Sequence, residues 1–213
     1  MADLCQGAEP RRREALSIGV EMMKKRLLII GAGGHGRSVA EAVLLQEDYA
    51  LTAFLDDAAN SREHLWDCPI WGTTAMLADC RSRVDAVIVA VGNNALREAL
   101  HQRVQMEGMT LATVIHPTAT VSSRATVGQG SVIMAGAIVG TGAQLGEGVI
   151  VNCGAVVDHD CSVEPFGHLG VNASMAGASV LGSGAWMPVG SALAYGVKVP
   201  AGHVLRAGEV VDA

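Results

Sequence analysis

From residue 115 onward, one position in six is aliphatic or methionine without a break: Ile115, Val121, Val127, Ile133, Val139, Leu145, Val151, Val157, Val163, Leu169, Met175, Leu181, Met187, Leu193, Val199 and Leu205. A helix buries a stripe at steps of three and four and a half-buried strand at steps of two, so neither gives a strict period of six. The period fits a solenoid. Each six residues form one short face with its aliphatic side chain pointing inward, three faces close a coil of about eighteen residues, and stacked coils bury what one coil cannot. The repeats amount to about five such coils. Small residues two positions ahead of the inward ones, among them Ala119, Ala137, Ala155, Cys161 and Ser179, leave room for tight packing. Gly128, Gly140, Gly146, Gly170 and Gly182, directly after inward positions, are expected to permit the tight corners. Hydrophobic residues make up 50% of the chain but aromatics only 3%, with 26 glycines, as a thin aliphatic core requires. Spacing alone leaves the hand of the coil open.

The first half alternates strand and helix signals. Leu27 to Ile30 is a short apolar run ending in Gly31-Ala-Gly-Gly-His-Gly36, followed by helical spacing from Arg37 to Gln46. A second strand, Leu51 to Leu55, ends at Asp56-Asp57. A third, Val84 to Val91, stops at Gly92-Asn93-Asn94 before a helix from Ala95 to Glu107. The series predicts a small Rossmann-like βαβαβ unit with ligand-facing loops at the carboxyl ends of parallel strands. The fold class is therefore α/β plus all-β. The expected division is a flexible leader over 1–23, the βαβ unit over 24–111 and the β-solenoid over 112–213, with Met22 or Met23 as a possible true start.

A net charge of −6 and a pI near 5.6 supply no basic field for nucleic acid or anionic lipid. Apolar stretches are interrupted well before the roughly 18–20 residues that a membrane span needs. The five cysteines are an odd set without a C-x-x-C pair or zinc spacing, as in a reduced cytosolic protein. A small-molecule partner and a cytoplasmic location are expected.

Among polar residues in the repeat, His159 stands two places after inward Val157 and so should point outward, with Asp158 and Asp160 beside it. An imidazole suits proton transfer at neutral pH, and an adjacent carboxylate can orient it and raise its basicity. His168, nine residues on, is half a coil away and should lie on another part of the triangle. The Gly31–Gly36 loop fits G-x-G-x-x-G, with Asp56 twenty residues after Gly36, which is a dinucleotide fingerprint. A nicotinamide enzyme needs a second mononucleotide-binding half, and here the chain passes into the solenoid instead. His64, His101, His116 and His203 are read as structural, with His116-Pro117 at the entry to the first coil.

The sixfold repeat joined to "LLIIGAGGHGRSVAE", "FLDD" and "AVGNNALR", with Asn152-Cys-Gly-Ala-Val-Val-Asp-His159-Asp160-Cys, resembles the PglD/NeuD-like sugar acyltransferases. The resemblance covers residues 25–213. It implies a left-handed parallel β-helix, a homotrimer, and N-acetyl transfer from acetyl-CoA to the amine, at C4, of a nucleotide-linked amino-deoxy sugar. It implies His159 as general base and Asp160 as its partner, with direct attack by the amine. It places Gly33, Gly34 and His35 near the phosphates and sugar, Asp56 and Asp57 on the base, and Gly92 beside it. His168, Gly177, Val189 and Ala207 would contact acetyl-CoA, and no metal is expected. The competing expectations are O-acetylation of a sialic-acid-like sugar, a metal-binding trimer, or a purely structural β-helix.

Overall fold

The computed structural model describes residues 24–58 and 63–212. The expected leader lies outside the described residues. Three strands, β1 (Lys25–Ile30), β2 (Tyr49–Leu55) and β5 (Ala86–Val89), form a parallel sheet in the order β2-β1-β5. Helix α1 (Gly34–Leu44) and helix α2 (Asn94–Met106) follow β1 and β5. The third strand, Ala86–Val89, is shorter than its apolar run; Ala90 N still donates to Ile30 O at 2.8 Å, and the chain bends at Gly92 before α2. Helix α1 starts at Gly34, three residues ahead of the expected Arg37: glycines carry little helical signal, yet Arg37 N already donates to Gly33 O at 3.0 Å. Between β2 and β5 lie a hairpin, β3 (His64–Leu65) with β4 (Cys68–Pro69), and two short 3₁₀ turns. No periodicity announces these.

Strands of two residues each, from Val114–Ile115 to Val210–Val211, make three parallel sheets of five, six and five strands. Partners are eighteen residues apart, as in Val139 with Val157 and Val157 with Met175. The inward residues form one core from Ile133 to Leu205, in which Leu169, Leu181 and Met187 are wholly buried, and Ile115, Val121 and Val127 pack on it at the first coil. The corner expectation needs correction. From Val127 onward, left-handed backbone falls three residues after each inward position, at Gly130, Gly136, Gly142, Gly148 and Gly154, then at Asp160, Phe166, Asn172 and Ala178, and again at glycine from Gly184. Gly128, Gly140, Gly146, Gly170 and Gly182 have ordinary backbone and are small for another reason: a Cβ there would collide with the backbone of the next coil, against Gly146 C for Gly128 and 2.5 Å from Ala201 N for Gly182.

The α/β unit sits on one outer face of the solenoid. Val114, Val132 and Met134 share a buried cluster with Val39, Ala42 and Val43 of α1. Ala112 N donates to Val87 O, so the chain pairs with β5 just before it enters the first coil. The predicted functional loops are thereby held against the coils that carry His168.

Candidate active site

The first component is a cavity of about 320 Å³ at the carboxyl ends of β1, β2 and β5. Gly33, Gly34, His35, Asp56, Asp57 and Gly92 all line it, so the six residues expected to bind substrate stand together. Two glycines of the loop are there for the backbone: Gly31 has φ +107°, and a Cβ on Gly36 would fall on Gly31 O. Gly33, Gly34 and Gly92 differ, since nothing lies within 4 Å of a Cβ added to any of them. Their lack of a side chain keeps the cavity open. Gly33 is the N-cap of α1 and provides no side-chain cap, so first-turn N–H groups remain available to an anion such as a phosphate. Asp56 accepts from Ala32 N (2.5 Å) and Ala58 N (2.6 Å), and Asp57 accepts from Thr74 N (2.8 Å) and Thr74 Oγ1 (3.0 Å). Both carboxylates thus brace the loops that shape the cavity, a duty that the sequence reading did not give them.

The second component is the corner bearing His159. Stacked hydrogen bonds from Asp160 N to Thr141 O, Ala178 N to His159 O and Gly196 N to Gly177 O align Thr141, His159, Gly177 and Tyr195 in one column. The His159 side chain is 46% exposed, as its outward position predicts, and its Nδ1 lies 2.9 Å from Asp160 Oδ2. Asp158 Oδ2 is 3.9 Å from Nε2, too far for a hydrogen bond. The hydrogen bond with Asp160, then the charge of Asp158, raises the imidazole pKa above its ordinary value. Asp160 itself adopts left-handed backbone at φ +56°, a conformation that Asp tolerates better than most residues. A Cβ on Gly177 would stand 2.5 Å from His159 Cε1 and Nε2, so this glycine clears space for the ring. The Tyr195 ring lies beyond it, its centroid 6.4 Å from that of His159.

His168 is elsewhere. It stands on a flat face, paired with Ile150 and Trp186, nearly buried, and stacked on the Trp186 ring at 5.4 Å. Burial, then the charge of Arg97 and the neighbouring His35, lower its pKa to about 3; only the Gly92 backbone acts the other way. His35 is lowered to about 4 by burial and Arg97. Both rings are neutral at pH 7, and His35 Nε2 and His168 Nδ1 have no hydrogen-bond partner among the described residues. Val189 and Ala207 occupy a further corner column, one coil apart, and are exposed. The chain therefore joins His159 with Gly177 and Val189 with Ala207, on two different corners, with His168 on a face.

The residue that sequence reasoning missed is Arg97. It is fully buried, and among the described residues no carboxylate pairs with it. Its Nε donates to Gly148 O (2.8 Å), Nη2 to Phe166 O (2.7 Å), and Nη1 to Val91 O (3.1 Å) and Gly92 O (3.4 Å). Burial lowers its pKa to about 10, which leaves it cationic at neutral pH. One turn before it on α2, Asn94 Nδ2 donates to Gly184 O (2.8 Å); one turn after, the buried His101 ring meets Phe166 edge-on at 5.2 Å. A helix climbs about 5.4 Å per turn and stacked strands lie about 4.8 Å apart, so successive turns of α2 meet successive coils. The available signal was an Arg at helical spacing between Asn94 and His101, facing a corner rather than water.

The family profile of the PglD N-terminal domain matches residues 26–104. The acetyltransferase domain of PglB from Neisseria gonorrhoeae FA1090, solved in complex with acetyl coenzyme A, is 38% identical, covers 87% of this chain and 89% of its own, and superposes with a TM-score of 0.83. The chain belongs to the PglD-like sugar acetyltransferase family. PerB from Caulobacter crescentus, solved in complex with CoA and GDP-perosamine, is another match to this PglD-like chain, at 33% identity and a TM-score of 0.83 over 87% of this chain and 88% of PerB. The UDP-N-acetylbacillosamine N-acetyltransferase of Bacillus subtilis (strain 168) is 35% identical over 114 residues, 52% of the PglD-like chain; the match spans about half, 51%, of that relative. Among the described residues no three His, Cys, Asp or Glu side chains gather as a metal site, and no helix is long and apolar enough to cross a membrane.

Proposed function

We propose that the protein transfers an acetyl group from acetyl-CoA to the amine, at C4, of a nucleotide-linked amino-deoxy sugar. The observation that carries this reading is the His159–Asp160 pair: an outward imidazole whose Nδ1 is held by a carboxylate at 2.9 Å and whose Nε2 has no hydrogen-bond partner among the described residues. The amine nitrogen attacks the thioester carbonyl, the C–N bond forms and the C–S bond breaks. The proton lost by the amine passes to His159 Nε2 and then to the departing CoA sulfur. Asp160 favours the imidazolium formed in between. Relatives solved with acetyl coenzyme A, or with CoA and GDP-perosamine, support both co-substrates.

In this reading the nucleotide lies in the cavity around Gly33, Gly34, His35, Asp56, Asp57 and Gly92, its diphosphate at the start of α1. The acetyl-CoA runs past His168, Gly177, Val189 and Ala207. Because His159 and His168 stand on different parts of one triangle, a site that uses both needs a second copy of the chain. A homotrimer supplies it, and exposed Ile138, Val189, Tyr195 and Val210 are apolar surface for it to cover. The donor is a cytosolic thioester, so the reaction belongs in the cytoplasm.

The test is release of CoA thiol from acetyl-CoA with UDP-, dTDP- and GDP-linked 4-amino sugars, each beside its hydroxyl counterpart. Turnover with an amino sugar that His159→Ala abolishes supports the reading. A folded protein that binds acetyl-CoA yet acetylates no member of the panel sinks the acceptor class.

A further inference from the structure

The corner that carries His159 also carries an aromatic side chain that adds nothing to the aliphatic core. Tyr195, 68% exposed, stands two coils further along the same column with Gly177 between, tied in by Ala178 N to His159 O and Gly196 N to Gly177 O, each 3.0 Å. Stacked coils lie about 4.8 Å apart, so two steps separate the backbones of His159 and Tyr195 by about 10 Å. Their ring centroids are only 6.4 Å apart, tilted by 47°, so the two side chains lean toward each other across the glycine. A Cβ on Gly177 would stand 2.5 Å from His159 Cε1 and Nε2, so the step between the rings must stay bare. The result is a wedge with an imidazole wall, a phenol wall and a floor of backbone.

We propose that Tyr195 is a positioning residue for the acyl donor: its ring is the wall that holds the flat thioester against His159. The proposal rests on the reading of His159 as the base and of acetyl-CoA as the donor. In that reading the proton taken from the amine passes from Nε2 to the departing sulfur, so the sulfur must come within hydrogen-bond reach of Nε2. That nitrogen overhangs Gly177, and the next side chain along the column is Tyr195. A thioester that reaches the base past Gly177 therefore lies against the Tyr195 ring. Thickness decides between occupants. Atoms in contact lie about 3.5–4.0 Å apart, so a planar group between two walls needs about 7–8 Å. Rings centred 6.4 Å apart and tilted by 47° come close to that at the wider side of the wedge, and leave too little for a puckered pyranose. Sulfur also makes favourable contacts with aromatic rings, often at the ring edge, so the ring and not the hydroxyl supplies the hold. Tyr195 neither takes nor gives a proton; it fixes the carbonyl carbon for attack.

The experiment compares acetyl-CoA with CoA on the full chain, by calorimetry and steady-state kinetics, in the wild type and in Tyr195→Phe, Tyr195→Leu and Tyr195→Ala, with the mass of each assembly measured by light scattering. The wild type should bind acetyl-CoA at least about threefold more tightly than CoA, and Tyr195→Phe should keep that preference. Leucine retains apolar bulk without a flat face and alanine retains neither, so both variants should lose the preference and raise the KM for acetyl-CoA. Their affinity for CoA and their KM for the nucleotide sugar should stay within about twofold of wild type. Equal affinity of the wild type for acetyl-CoA and CoA overturns the proposal. So does a Tyr195→Leu variant that keeps the preference, which would make the ring mere bulk, or a Tyr195→Phe variant that loses it, which would assign the hold to the hydroxyl. Equal losses for acetyl-CoA and CoA would place Tyr195 on the arm of the cofactor, a rise confined to the KM of the sugar would give the wedge to the acceptor, and a Tyr195→Leu assembly of lower mass would give Tyr195 to a subunit contact; each overturns it. A wild type that binds neither acetyl-CoA nor CoA, or a His159→Ala variant with full turnover, removes the reading beneath the proposal and the proposal with it.

Discussion

Arg97→Met removes a side chain that ties the Val91–Gly92 loop of the cavity, α2 and two coils of the solenoid together. The guanidinium makes three hydrogen bonds of 2.7–3.1 Å to the carbonyls of Phe166, Gly148 and Val91, and a longer one to Gly92. Methionine fills much of the same volume and strands the two buried carbonyls of Gly148 and Phe166, at about 1–3 kcal/mol each. Relief from burying an unpaired cation offsets part of that, so a net loss of about 2–3 kcal/mol is expected. For a chain of this size that corresponds to about 5–10 °C in Tm. The assay pairs thermal unfolding with calorimetric titration of the nucleotide. Because Val91 and Gly92 lose their anchor, nucleotide affinity should fall along with Tm, and Arg97→Lys, which cannot fork to several carbonyls, should restore only part of either. A Tm within about 1 °C of wild type would refute the energetic argument. A lowered Tm with unchanged nucleotide affinity would refute the claim that Arg97 shapes the cavity.

Other consequences are as direct. Asp160→Asn removes the partner that raises the His159 pKa, so the acid limb of kcat/KM, which marks conversion of the imidazole to its neutral, basic form, should move to lower pH while the plateau rate drops about tenfold or more; an unmoved limb would detach Asp160 from the base. Gly177→Ala places a methyl on the imidazole and should cut kcat with little change in Tm, whereas Gly33→Ala meets empty space and should instead raise the KM for the nucleotide sugar. Half-buried His35 and buried His101 and His168 have folded pKa values of about 4, 4 and 3, below that of the unfolded chain, so the unfolded state takes up more protons between those values and 6.5. Stability is therefore complete above pH 6.5 and falls as pH drops toward 4. Urea midpoints measured from pH 7.5 to 4.5 check this, and His101→Phe should flatten the decline.

The solenoid was legible because its period is imposed by geometry: every sixth side chain must face a core too thin for anything but aliphatics and Met, and all sixteen positions obey. The cavity residues were legible for a similar reason, since Gly31 and Gly36 are required by backbone approach and Gly33, Gly34 and Gly92 by open space. The corners were misassigned because two kinds of glycine share the repeat, and only coordinates separate those that turn the chain from those that avoid the next coil. Arg97 was hidden because its burial depends on the pitch of α2 matching the stacking of the coils. Trp186 stands beside His168 because eighteen residues, one coil, separate them, so that pairing follows from the period itself.

The measurement that tests the central account most directly is complementation between two inactive variants, His159→Ala and Gly33→Trp, each folded and assayed alone and then after mixing under conditions that exchange subunits. The first lacks the base and the second has its nucleotide cavity filled. The account predicts that mixing restores acetyl transfer to a 4-amino sugar nucleotide, because the base of one copy serves the substrate held by another. Exchanged assemblies that stay inactive, alongside a wild type that is active as a monomer, would contradict it.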